Sequence, residues 1–273
     1  MSPTSRVTLR PGEPVRPNAL PLVGSLAKLA KGLLLPAIAL IVWETSARLQ
    51  WVPSNWLPAP STVALTLVSL AHSGELWANV TATVTRLLLG FVLGSTFGTI
   101  LGIWCGRSER LHALLDPTLQ ALRSIPSLAW VPLFLLWLGI QETSKVALIA
   151  VGAFFPVYLN LHSGIRAIDR RLIEVGLMNG YRGWGLARHI LVPAALPAYL
   201  TGLRSGLGLA WMFVVAAELL GASKGLGYLM VDGQSTSRTE LVMAAIISFA
   251  ALGKLTDSLL QALEVRLQPW RSN

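Results

Sequence analysis

The sequence predicts an all-α polytopic membrane protein with six transmembrane helices. Three observations predict it. Of 273 residues, 53% are hydrophobic and only 13% charged, with mean hydropathy +0.59; a soluble domain carries about 25% charge. Several apolar runs reach the ~20 residues needed to cross a hydrocarbon core about 30 Å thick. The basic residues then fall mainly on one side of an alternating topology. With both termini inside, the inner segments hold fifteen lysines and arginines, Arg123 among them, and the outer segments hold three: Lys145, Lys224 and Arg238. This positive-inside asymmetry sets the orientation, and it accounts for a net charge of +9 without nucleic acid. The single Cys105 excludes an internal disulfide and a multi-cysteine metal site. His72, His112, His162 and His189 show no ligand spacing.

In chain order, residues 1–28 read as a flexible cytoplasmic tail, proline-rich and basic, with Arg6, Arg10 and Arg16. The first apolar run begins too late for a cleavable signal. Residues 29–265 form the transmembrane domain. Its first span is 29–48, kinked at Pro36. A loop over 49–78 carries Trp51, Trp56 and Trp77, suited to the membrane–water boundary, with a short interfacial helix over 61–71.

The second span is 79–104. Its glycines Gly90, Gly94, Gly98 and Gly102 recur every fourth residue, with Gly106 next. They share one helix face, and small residues let membrane helices approach closely. The partner could be another helix of the chain or one of a second subunit. Residues 105–123 are short, polar and partly amphipathic. The third span, 124–140, contains Pro126 and Pro132, and the fourth, 146–165, is broken near Pro156. The fifth is 194–217 and the sixth 241–261, separated by a glycine-rich external loop over 218–240. Residues 266–273 form a second cytoplasmic tail.

The loop 166–193 carries the densest charge. Asp169 can cap a helix that runs through Glu174 and stops at Gly180. Gly180 and Gly183 permit a sharp turn. A second short helix follows, and Pro193 can open the next span from its first turn. The stretch therefore reads as helix, glycine turn, helix, on the cytoplasmic side.

Charges within the spans are costly, at least ~2.5 kcal/mol near the bilayer centre, and face a cavity or a partner. Arg86 lies near the outer start of the second span and Arg204 midway along the fifth. Arg204, Gly208, Trp211 and Val215 share one helix face, with Glu218 close to it. That face is a candidate pathway lining; the plainer reading pairs Arg204 with a carboxylate on another span. Lys254 and Asp257, three apart, read as a helix-surface pair.

The spacing of Glu174, Gly180, Ile190 and Pro193 resembles the signature loop of permease subunits of binding-protein-dependent ABC importers. That loop reads Glu-Ala-Ala, three residues, Gly, nine residues, Ile, one residue, Leu-Pro. This chain departs from it at Val175, Gly176 and Val192. Glycine inside a helix costs about 1 kcal/mol relative to alanine, so Gly176 predicts a looser first helix. Further segments resemble the aliphatic sulfonate permeases, with taurine, nitrate and bicarbonate permeases as close relatives: Arg86-Leu-Leu-Leu-Gly90-Phe, Leu122-Arg-Ser-Ile-Pro126, Phe155-Pro-Val-Tyr-Leu-Asn160, Thr201-Gly-Leu-Arg204, Ala210-Trp211, Ala217-Glu218 and Gly225-Leu-Gly-Tyr228.

The resemblance implies a type I ABC importer permease bundle in the bacterial inner membrane. It implies a homodimer of permeases, two ATP-binding subunits and an external substrate-binding protein. It also implies that the loop docks on the ATPase, with Glu174, Gly176, Gly180, Tyr181, Arg182, Gly183, Trp184, Ile190 and Pro193 as its coupling residues. The chain supplies no nucleotide engine of its own. Its one Gly-Lys, Gly253-Lys254, has Ser248 where a P-loop needs glycine and Leu255 where it needs Ser or Thr. No enzymatic activity and no cofactor are expected in this chain, ATP and Mg being used by the partner subunit. A self-sufficient secondary transporter would show internal repeats and buried ionisable relays; none is evident. A membrane enzyme would need a cluster of His, Asp, Glu or Cys, which the scattered histidines do not supply.

Overall fold

The computed structural model describes the backbone of residues 21–268 except 54 and 127–128, and side chains from residue 34 onward with the same exceptions. Residues 1–20 of the expected tail lie outside this range, as do the last five residues of the chain, whereas residues 21–28 are helical and belong to the first helix rather than to a tail. The described residues form helices: α1 (Pro21–Arg48), α2 (Pro60–His72), α3 (Glu75–Arg107), α4 (Glu109–Ser124), α5 (Trp130–Leu138), α6 (Glu142–Arg166), α7 (Arg170–Met178), α8 (Trp184–Leu186), α9 (Val192–Leu219), α10 (Leu226–Ser235) and α11 (Thr239–Leu267). A π-helical turn, Ala187–Leu191, joins α8 to α9 without interruption. Four helical runs among the described residues are long and apolar enough to cross a membrane: α3, α6, α8 through α9, and α11.

The centre of the bundle is α6, packed between α3 and α9. The glycine stripe of α3 makes this possible, and its partner lies within the chain. A Cβ built on Gly94 would fall 2.1 Å from the Ala150 carbonyl oxygen, one on Gly90 2.5 Å from Ile149, and one on Gly98 2.8 Å from the Phe154 carbonyl oxygen. Only glycine lets the two backbones lie this close. Lower down, Gly102 faces Leu161 and Gly106 faces Ile165. The other face of α6 meets α9, where Gly206 faces the Ala153 backbone and Gly202 faces Asn160. Leu87, Leu148, Ile149, Ala153, Ala210 and Val214 form the buried core of the three helices. The helix α2 packs Val63 and Leu70 against Leu241 and Ala244 of α11.

The third crossing differs from the continuous span expected over 124–140. It is made by two helices, the sixteen-residue α4 and the nine-residue α5. Both run antiparallel to α6. Glu109 lies by Arg166, His112 stacks on His162, and Asp116 accepts from the Tyr158 hydroxyl. Beyond the break, Val131 and Leu135 line a small pocket with Leu148 and Lys145. Pro126 causes the break: the residue before a proline is forced out of helical backbone, and Ile125 is extended at φ −69, ψ 125. Arg123, counted from sequence with the inner loops, is therefore carried up to the level of Val151 and Gly152 on α6. The segment 105–123, short and polar in sequence, is likewise part of the bundle wall, with α4 stacking His112 on His162 of α6.

Two further expectations change. The external loop over 218–240 contains a ten-residue helix, α10. Pro193 lies inside a continuous helical run from Trp184 to Leu219 rather than starting a new one. Proline clashes with the carbonyl four residues back and offers it no donor, and the wide π turn directly ahead of Pro193 accommodates both defects.

Candidate functional site

The loop between α6 and α9 is built tightly. The Asp169 carboxylate accepts from the Arg171 amide at 2.9 Å and caps α7. At the other end Gly180 takes φ +81. The Tyr181 amide donates to the Gly176 carbonyl, and the Gly180 amide donates to that of Leu177, each at 3.0 Å. This pair of bonds is a Schellman ending, which needs a left-handed residue where Gly180 stands. Gly183, at φ +52, makes the second turn.

Gly176 does not loosen α7. It is buried, and an added Cβ would lie 2.7 Å from Leu186 and 2.9 Å from Ile190. The missing methyl lets α7 settle onto the next helix, so Gly176 and Ile190 form one contact. Tyr181, expected as a docking aromatic, stacks on His189 with centroids 4.7 Å apart, while His189 Nδ1 contacts the Gly185 carbonyl at 2.9 Å. Trp184 is 80% exposed and Met178 87% exposed. Sequence reasoning missed Met178, although a Met directly before a helix-ending Asn-Gly must stand at the tip. Glu174 stays on the surface 3.7 Å from Arg170, and Arg182 and Arg188 are exposed.

The proposed pathway residues separate into two groups. Arg204 donates to Asp257 of α11 at 2.7 and 3.0 Å, and Trp211 donates to Thr256 of α11 at 2.9 Å. Their face of α9 is turned towards α11, and Asp257 pairs across helices rather than with Lys254. Gly208, between them, faces open space.

Arg86 and Glu218 belong together at the opposite end of the bundle from α7. Arg86 Nη1 donates to Glu218 at 2.7 Å and to the Lys224 carbonyl at 2.6 Å, and Nη2 donates to Glu142 at 2.9 Å. Lys145 donates to Glu142 at 2.9 Å. Glu218 also accepts from the Thr83 hydroxyl and the Gly227 amide, both at 2.8 Å. Asn79 accepts from the Gly225 amide at 2.8 Å. Two cations and two anions thus compensate each other, and Glu218 is only 1% exposed. In this conformation Arg86 and Glu218 tie α3, α6, α9 and the approach to α10 together, and Arg86 with Glu142 and Lys224 also lines an open groove of about 460 Å3. Gly227 would place a Cβ 2.5 Å from that of Glu218, which explains the Gly225-Leu-Gly spacing. Sequence reasoning missed Glu142, Thr83 and Asn79. The three-residue spacing of Glu142 and Lys145 at a helix start was their one local signal.

Near the α7 end, His112 and His162 stack at 4.5 Å although fifty positions separate them in the chain. Among the described residues no group of His, Cys, Asp and Glu could hold a metal ion.

Comparison with known proteins agrees with this architecture. Residues 98–269 match the family described as binding-protein-dependent transport system inner membrane component. A Bacillus subtilis protein named as an aliphatic sulfonates transport permease protein is 46% identical over 89% of this chain and 88% of its own length. One of the same name from Escherichia coli is 40% identical over 84% and 88%. The taurine transport system permease protein of Escherichia coli is 36% identical over 86% and 87%. A crystal structure described as an amino acid ABC transporter with histidines shares the fold, with TM-score 0.61 and 17% identity over 73% of this chain and 97% of that one.

Proposed function

We propose that this chain, which belongs to the family of binding-protein-dependent transport system inner membrane components, is the permease subunit of an ATP-driven importer of a small organic anion. An aliphatic sulfonate is the substrate favoured by the names of its relatives; taurine, nitrate or bicarbonate is the alternative within the same family. ATP and Mg are used by a separate subunit. Two permease copies, two ATP-binding subunits and an external binding protein make up the importer. It sits in the bacterial inner membrane with both termini in the cytoplasm.

The observation that carries coupling is the tip of the loop. Met178 and Trp184 stand almost fully exposed on a scaffold held by a helix cap, a Schellman ending and the Gly176–Ile190 contact. A large apolar pair displayed rigidly on a charged loop suits insertion into a partner, since buried aromatics dominate interface energy. The continuous run from Trp184 to Leu219 then passes a push at the tip into the membrane without a hinge.

The test is uptake into vesicles containing the permease with its ATPase and binding protein. Alkanesulfonates, taurine and nitrate are supplied with and without ATP. Sulfonate uptake that requires ATP is expected. Gly180→Pro and Glu174→Arg are expected to abolish it while the protein stays in the membrane, because proline cannot adopt φ +81. ATP-independent uptake by the purified chain alone would refute the reading.

A further inference from the structure

We infer that Lys254, exposed midway along α11, is a contact for the transported anion on its way through the membrane. The inference rests on the proposed function for the nature of the ligand and on the geometry for the place. Spacing along the chain pairs Lys254 with Asp257. The structure gives Asp257 to Arg204 instead, whose Nε and Nη2 both donate to it. Among the described residues no carboxylate lies within ion-pair distance of Lys254. Two cations and one anion therefore share the seam of α9 and α11, and one positive charge is in excess. At 1.5 Å per residue Lys254 stands about 20 Å from either end of α11, farther than a lysine side chain reaches. A charge at this depth faces a water-filled cavity or a partner rather than lipid.

The surroundings of Lys254 suit water. The Arg204 and Asp257 side chains are themselves 41% and 34% exposed, so this pair is not sealed inside the bundle. Thr201, Ser205 and Gly208 lie exposed beside Arg204 on α9. A Cβ built on Gly208, or on Gly253 next to Lys254, would meet nothing within 4 Å. The exposed middle of α3 is of another kind: Leu88, Leu89, Val92 and Leu93, apolar throughout. The α3 face can meet acyl chains; the seam of α9 and α11 cannot, because its charges would lie in hydrocarbon. An ammonium offers three donors and no acceptor. The neutral Arg204–Asp257 pair beside it leaves its charge free for an anion. A single excess charge also suits transit, which needs binding strong enough to admit the solute and weak enough to release it. The ligand that fits is a small oxyanion carrying one negative charge.

The test uses the complete importer in vesicles and has two arms. The first asks whether the face meets water, with a charged thiosulfonate reagent supplied on both sides. Native Cys105 is fully buried, so the wild type is the blank. Lys254→Cys and the isosteric Ser205→Cys are expected to react at least tenfold faster than Val92→Cys on α3, because the reactive thiolate does not form in apolar surroundings. This arm does not depend on which anion is carried. The second arm measures uptake of alkanesulfonates. Lys254→Gln is expected to lower it at least tenfold, the loss of one charged hydrogen bond, and Lys254→Arg to retain most of it. Ser205→Cys decides the matter if the Lys254 variants fail to reach the membrane. Ser205→Cys as slow as Val92→Cys would mean that lipid or a second copy covers the face, and overturns the inference. So does unchanged uptake in Lys254→Gln, the result for a lysine that only touches lipid headgroups. Wild-type uptake, measured alongside, tests the proposed function separately.

Discussion

Replacing Glu218 by Gln is expected to destabilise the whole bundle. The carboxylate is 1% exposed and faces donors only: Arg86 Nη1 and the Thr83 hydroxyl on one oxygen, the Gly227 amide on the other. A Gln amide must turn its NH2 towards one of these donors, and it leaves the Arg86 charge less compensated. Breaking a buried ion pair by removing one partner costs about 3–5 kcal/mol. At about 2–4 °C per kcal/mol for a chain of this size, the unfolding midpoint should fall by about 6–20 °C. Cys105 offers the assay. It is the only cysteine, fully buried, and sits at the other end of α3 from Arg86. A thiol-reactive fluorogenic dye on the detergent-solubilised protein will therefore report loss of the bundle rather than local opening at the mutation. Glu142→Gln serves as the comparison. Its side chain is 58% exposed, so water can take over its hydrogen bonds and the midpoint should fall less. A Glu218→Gln midpoint within about 2 °C of wild type would refute the idea that this cluster clamps the helices.

Three other outcomes are expected. Gly94→Leu should prevent assembly of α3 on α6, because even its Cβ would stand 2.1 Å from backbone oxygen; the yield of monodisperse protein after extraction measures this, whereas Gly208→Ala, facing open space, should extract normally. Trp184→Ala combined with Met178→Ala should cut ATPase co-purification at least tenfold, since truncating such anchors costs about 2 kcal/mol or more each, while leaving the Cys105 unfolding midpoint unchanged. Arg204→Asp should impair folding or transport and be rescued by Asp257→Arg in the same chain, because the pair joins α9 to α11; failure of the exchange to rescue would return Arg204 to a role in substrate contact.

Much of the fold was legible because the bilayer imposes simple rules on sequence. Apolar length marks the crossings, basic residues mark one side, and a glycine every fourth position marks a close helix contact. The turn at Gly180 was legible too, since a helix ending in left-handed backbone selects glycine. The reading failed where one residue serves two neighbours. Gly176 looked like a weak point in a helix, yet its bare Cα is what lets Leu186 and Ile190 pack against it. Pro126 and Pro132 were placed inside one span, yet Pro126 divides the crossing into two helices. Glu218 was grouped with Arg204 by helix face and Arg86 was noted only as a charge within a span, but Arg86 and Glu218 neutralise each other from different helices.

Sequence alone determined that the chain is helical, membrane-embedded and equipped with a glycine-turned loop, because these depend on local periodicity and on charge counted along the chain. Only the tertiary structure decided which cations are neutralised, because ion pairing joins residues as far apart as Arg86 and Glu218, and no local pattern encodes a partner that distant.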